Sequence, residues 1–147
     1  MKTRVAIISI IAAIVFLFTA TGCIKGPVEV TRAYTCTQED VNDFTPVLEG
    51  EEQFVKPTSV FPSGTKYVGL FIQLKNVVPE DKITIKWNYL ETGKELYSEL
   101  VDRFEKSHLN YDLFTGLYID SGLSAGKYNV VIYLNDKPAK TVEFSVE

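Results

Sequence analysis

Histidine and tryptophan each occur once in this chain, and cysteine only twice. One histidine cannot build a zinc centre, which takes three or four His, Cys or acidic ligands. Two cysteines allow one bridge at most, so no disulfide framework holds the fold. Positive charge is also short: 15 basic residues stand against 19 acidic ones, a net of −4. That argues against nucleic acid, which needs a basic footprint, and against a polybasic grip on anionic lipid. Beyond the first 22 residues no apolar run approaches the roughly 20 residues that cross a bilayer. Internal repeats and low-complexity tracts are missing as well.

What is present begins at the N-terminus. Met1-Lys2-Thr3-Arg4 precedes an apolar run from Val5 to Phe18 that only Ser9 interrupts. A basic start, an apolar stretch and small residues behind it mark a secretory signal peptide. A spanning anchor that is never cleaved is the alternative the same run allows. Ala20-Thr21-Gly22-Cys23 then resembles the lipobox of bacterial lipoproteins, with Ala20 where that family most often has Leu. The resemblance implies a signal peptide over residues 1–22 and diacylation of Cys23 as the new N-terminus. It also implies a short tether over 23–27 and an exported domain over 28–147. Two acyl chains hold firmly where one binds only marginally, so the domain is expected at the membrane, on the extracytoplasmic side of the cell envelope. Removing Lys2 and Arg4 from the 15 basic residues leaves 13 against 19 acids, a net of −6. With Cys23 acylated, the chain holds no second cysteine with which Cys36 could form a disulfide. Between pairing with another chain and packing as a small, partly buried thiol, packing is the expected state, because unpaired Cys behaves as a hydrophobe.

Alternation of period two dominates the exported part. Val68, Leu70, Ile72 and Leu74 share one face, as do Ile83, Ile85, Trp87 and Tyr89. So do Tyr128, Val130, Ile132 and Leu134, and in the last strand Val142, Phe144 and Val146. Strands with one buried face are the mark of antiparallel sheets. Val28 to Tyr34 and Tyr111 to Ile119 read as two more strands. Glu91-Thr92-Gly93-Lys94 and Asn135-Asp136 are hairpin turns, since Gly, Asn and Asp accept positive φ. Residues 95–104 carry apolar side chains at helical spacing, yet the Gly93 turn before them favours a returning strand, which is the expectation. Thr37 to Lys56 is acidic and reads as a long excursion.

About seven strands, with Trp87 facing inward on a central one, resemble an immunoglobulin-like sandwich. The run from Asp120 to Tyr128 looks like the corner where a Tyr opens the next-to-last strand. The antibody cysteine pair is absent, so the likeness is to the wider class, such as fibronectin type III modules. It implies an all-β, single antiparallel β-sandwich.

The motifs that could carry chemistry are weak. Gly122-Leu123-Ser124-Ala125-Gly126 matches the Gly-x-Ser-x-Gly pattern, which works on a strand-to-helix turn. Here a strand is expected to follow, and His108 precedes the serine rather than following it. His108 itself reads as an exposed residue near a strand end. Asp40, Asn42 and Glu51 fall at positions 1, 3 and 12 of a calcium-loop template, but Phe44 and Thr45 spoil positions 5 and 6. Glu39, Asp40, Asp43, Glu49, Glu51 and Glu52 read as solvated acids. Tyr67 and Phe71 on one strand, and Val131 and Tyr133 on another, are expected to face outward, and apolar residues on neighbouring strands can form an interaction patch.

The reading is a lipid-anchored, non-catalytic interaction module that binds another envelope or extracellular protein, with no cofactor, no metal and no nucleic acid. The alternative is an envelope enzyme, or a carbohydrate- or metal-binding accessory protein, which would need several polar groups converging in a pocket.

Overall fold

The computed structural model describes residues 26–37 and 56–147. Cys23, the signal peptide, the tether as far as Lys25 and the acids from Glu39 to Glu52 lie outside the described residues.

Alternating hydrophobicity becomes strand throughout: β1 (Glu29–Cys36), β2 (Val60–Phe61), β3 (Tyr67–Val77), β4 (Ile83–Tyr89), β5 (Lys94–Val101), β6 (His108–Tyr118), β7 (Gly126–Leu134) and β8 (Lys137–Val146). Among the described residues no helix forms. Residues 94–101 are extended, as the Gly93 turn requires. β2 is an addition that the sequence did not suggest.

The strands make two sheets, one of order β1-β3-β6 and one of order β2-β8-β7-β4-β5. All pairs are antiparallel except β2 with β8, which is parallel. Val68, Leu70, Ile72 and Leu74 of the smaller sheet face Ile83, Ile85, Trp87, Val130 and Ile132 of the larger, and all are fully buried. In constant-type immunoglobulin domains the smaller sheet has three strands and the larger four. Here the fifth strand pairs with β4 instead, which enlarges the sheet that carries Trp87.

Both expected footholds are present. Trp87 is fully buried on β4, edge-on to Phe144 at 6.1 Å between ring centroids. Its indole nitrogen has no hydrogen-bond partner; the neighbouring ring offers only the weak N–H···π kind of contact. The Tyr128 hydroxyl donates to the Ser124 carbonyl at 2.6 Å, back across the corner that precedes β7. Tyr128 also stacks on Phe144 at 5.0 Å and lies 4.8 Å from Tyr89. A buried Trp and a Tyr bonded back to its own corner are hallmarks of the immunoglobulin-like sandwich. The fold is of that class.

Two turns are tied together at one end of the sandwich. Asn135 and Asp136 adopt φ of 50° and 66°, the left-handed pair that a two-residue hairpin needs. Asn135 also donates to Asp81 at 2.8 Å, while the other Asp81 oxygen accepts the Val78 amide at 2.8 Å. One carboxylate therefore ties the β3–β4 turn to the β7–β8 turn. β2 covers β8 only at Ser145 and Val146. Ahead of that contact β8 carries Lys137, Pro138 and Lys140, residue types that discourage edge-to-edge pairing.

Candidate interaction surface

The outer face of the smaller sheet follows directly from the strand register. Cys36, Gly69 and Gly116 stand side by side across β1, β3 and β6. The next row down is Tyr34, Phe71 and Phe114, and the one below it Arg32, Gln73 and Asp112. Above the small row, Tyr67 pairs with Tyr118. A row of minimal side chains between two aromatic rows leaves a trough, and rings fill it. A Cβ on Gly69 would meet the Phe114 ring at 2.7 Å and Cys36 Sγ at 2.8 Å. One on Gly116 would fall within 2.7 Å of three atoms of the Tyr67 side chain. Both rings thus lie against glycine backbone, an arrangement that covers the weak point a strand glycine makes.

Five aromatics therefore share this face. Phe71 lies 5.1 Å from Tyr34, and the Arg32 guanidinium sits 5.2 Å from the Tyr34 ring centre. Tyr67 and Phe71 are half-buried, while Tyr118 is 60% exposed. Burial, and secondarily Cys36, raises the Tyr67 phenol above its ordinary pKa. A hydrogen bond to the Asp120 carboxylate, together with its charge, does the same for Tyr118. Both remain neutral donors through the physiological range. Cys36 is fully buried, not partly as the sequence suggested.

Val131 and Tyr133 lie elsewhere. They are half-buried on the outer face of the larger sheet, so the two pairs expected on neighbouring strands occupy opposite sides of the molecule. The reason is topological: β3 and β7 belong to different sheets, which period-two alternation cannot reveal. Around Tyr133 and Val131 the register places Thr84, Lys86, Pro138 and Thr141. Lys86 bonds Glu95 at 3.2 Å and lies 5.8 Å from the Tyr133 ring centre. Asn88 donates to Asn129 at 2.9 Å in the next row. This face is polar except for the row through Thr84, which carries Leu100, Tyr133 and Pro138, and for Val131 in the row beside it.

The remaining sequence candidates stay apart. Ser124 lies before β7 and lends its carbonyl to Tyr128, and a strand follows it, as expected. His108 begins β6, so most of that strand's length separates it from Ser124. It is half-buried rather than exposed, with Tyr111 packed 4.8 Å from its ring. Among the described residues no three His, Cys, Asp or Glu side chains come together to hold a metal ion. A shallow cleft of about 260 Å³ opens beside β2, lined by Ser59, Val60, Leu90, Lys127, Glu143 and Ser145 among others.

Tyr34, Phe114 and Tyr118 were missed as outward residues. β1 and β6 carry apolar side chains on both faces, so alternation gives no contrast there. The available signal was the pair Gly69 and Gly116, because glycine inside a strand marks close approach by another group.

No protein-family model matches the sequence, and no curated protein matches it. Solved structures do. The C-terminal domain of Wzt superposes with a TM-score of 0.55 at 12% identity, over 84% of this chain and 75% of that one. An immunoglobulin-like protein from Pseudomonas aeruginosa gives 0.46 at 14% identity, over 84% of this chain and 94% of its own. The alkylpurine DNA glycosylase AlkC of Pseudomonas fluorescens, solved with DNA containing an abasic-site analogue, gives 0.49 at 14% identity. That match covers 82% of this chain, which spans only 30% of the glycosylase. At these identities the likeness concerns the fold alone.

Proposed function

We propose that the chain is a lipid-anchored, extracytoplasmic, non-catalytic module of the cell envelope, held by acyl chains on Cys23, and that it binds another envelope protein. The observation that carries the binding half is the aromatic outer face of β1, β3 and β6, with Tyr67, Phe71 and the exposed Tyr118 upon it. A solvated sheet face ordinarily carries polar side chains. An apolar one rimmed by polar residues, here Arg32, Gln73 and Asp112, is the pattern of a protein-binding surface. Aromatics and arginine are also the residue types enriched at such interfaces. The anchoring half rests on the basic start, the apolar run and Ala20-Thr21-Gly22-Cys23.

Crosslinking in intact cells, with the captured species identified by mass spectrometry, tests the binding half. One dominant protein, lost with Phe71→Ser and retained with Tyr133→Ser, is the expected result. Capture of glycan, or the same capture by both variants, rejects the aromatic face. The anchor is tested separately: Cys23→Ser should release the exported chain from the membrane fraction.

A further inference from the structure

The tether distinguishes the two ends of the sandwich. β1 starts, β3 ends and β6 starts at one pole, where Val77 pairs with His108 and Glu29 with Lys75. β4 starts and β5 and β7 end there too, since Ile83 pairs with Val101 and Leu134. The chain enters at this pole, and the Asn76 side chain donates to the Pro27 carbonyl at 3.3 Å, fixing the point of entry. From Cys23 to Pro27 the chain spans four residues, so it reaches at most about 14 Å. The opposite pole is a strand's length away: β3, with 11 residues, extends about 35 Å.

We propose that this entry pole lies against the lipid surface, with Leu100 and Leu109 entering the headgroup region and Arg103 and Lys106 meeting lipid phosphates. The proposal rests on the lipid-anchor reading above. Its surface is the β5–β6 connection. Leu100 and Leu109, which flank that connection, are 54% and 65% exposed. Between them Arg103 stands out with 96% of its side chain in solvent, and Lys106 is exposed as well. Phe104, in the same connection, turns inward against Tyr111 at 5.3 Å and pins the loop to the core. Exposed leucines beside long cationic side chains suit an interface where apolar groups sink and charged heads stay at the phosphate level. Asp102 and Glu105 balance the loop's charge, so the contact is apolar insertion guided by two cations, not polybasic attraction. Val60 and Leu90 are also exposed, but they border the cleft at the far pole, beyond the tether's reach. The consequence is an upright domain whose aromatic face stands roughly perpendicular to the membrane and whose far pole points outward.

The test uses the acylated protein in vesicles of phosphatidylethanolamine and phosphatidylglycerol that carry a headgroup-level nitroxide lipid. A bimane label is placed by Leu109→Cys, by Arg103→Cys or by Leu90→Cys; Cys36 is fully buried and is spared. Labels at 109 and 103 are expected to be quenched several-fold more than the label at 90. Changing Arg103 and Lys106 together to Glu should lower quenching at 109 without moving Tm. Equal quenching at all three positions, or stronger quenching at 90, overturns the orientation while leaving the anchor standing. Mass spectrometry of the N-terminal peptide reads the anchor independently, and an unacylated Cys23 removes both proposals.

Discussion

The two outer faces of the sandwich rest on the same backbone alternation and differ in everything that alternation leaves open. On the larger sheet the outward rows are Leu100, Thr84, Tyr133 and Pro138, then Ser98, Lys86, Val131 and Thr141, then Glu95, Asn88, Asn129 and Glu143, the last two rows tied by Lys86–Glu95 and Asn88–Asn129 contacts. On the smaller sheet Tyr34, Phe71 and Phe114 make one row, and two rings lie down over glycines in the next. The larger sheet's outer face is tied mainly by polar contacts of its own. The rings of the smaller sheet lie outside the core, which the inner faces already fill, and two of them cover strand glycines. The inner faces specify the fold, and the contrast between the outer ones is what supports the proposed binding face.

The largest expected effect concerns the inner side, against which both outer faces are judged. Trp87→Ala should destabilise the domain by about 3–5 kcal/mol, the usual range for emptying a buried Trp site. Urea denaturation followed by circular dichroism checks it, since Trp87 is the only intrinsic indole. A loss below 1 kcal/mol, on the order of a surface change, would mean that Trp87 is not the packing anchor its burial indicates.

Gly69→Ala comes next and tests the aromatic face itself. The new methyl would stand 2.7 Å from the Phe114 ring and 2.8 Å from Cys36 Sγ, so one of them must move. Overpacking of this kind typically destabilises by about 1–3 kcal/mol. The same change should weaken partner capture, because the ring it displaces belongs to the proposed surface. Capture unaffected by a measurable loss of stability would uncouple the glycine floor from binding.

Much of this was legible in the sequence, and the failures share a cause. The strands from β3 onward, the Asn135-Asp136 turn, inward Trp87 and the Tyr128 corner all follow from local pattern. Period two assigns a residue to a face but says nothing about which sheet the face belongs to. Tyr67 and Phe71 therefore could not be separated from Val131 and Tyr133 until β3 and β7 fell into different sheets. β2 escaped because two residues, paired in parallel with β8, are too short to show any period. Tyr34, Phe114 and Tyr118 escaped because β1 and β6 are apolar on both sides. Cys23 and the acids from Glu39 to Glu52 lie outside the described residues, and the sequence alone speaks for them.

A third expectation concerns the corner that leads into β7, between β8 and β4 of the larger sheet. Tyr128→Phe removes the 2.6 Å bond to the Ser124 carbonyl and should lower stability by about 1 kcal/mol. It should also change the alkaline limb of the stability curve. Burial, then the neighbouring Tyr89, raises the Tyr128 pKa above its ordinary value of 10.0. A raised folded-state pKa means that the unfolded phenol ionises first. This contribution is whole below about pH 10 and fades as pH climbs through the folded value. The Phe variant should therefore lose less stability than the parent between pH 10 and the folded-state pKa. Parallel curves would show that Tyr128 ionises equally well in both states.

The smallest effect belongs to the polar face. Lys86 holds Glu95 at 3.2 Å and lies over the Tyr133 ring, but its side chain is 38% exposed and that of Glu95 is 47% exposed. Water and salt screen such a pair, and holding two long side chains in one geometry uses up part of what remains. Lys86→Ala should thus shift stability by about 0.5 kcal/mol or less, with the difference shrinking further in high salt. Urea titrations at two ionic strengths would measure it. A loss well above 1 kcal/mol would mean that the lysine stem packs over Tyr133 and Val131 as a lid on an apolar patch. The larger sheet would then also carry a covered hydrophobic surface. The contrast between the two faces would reduce to which one is capped by a charged side chain and which by rings.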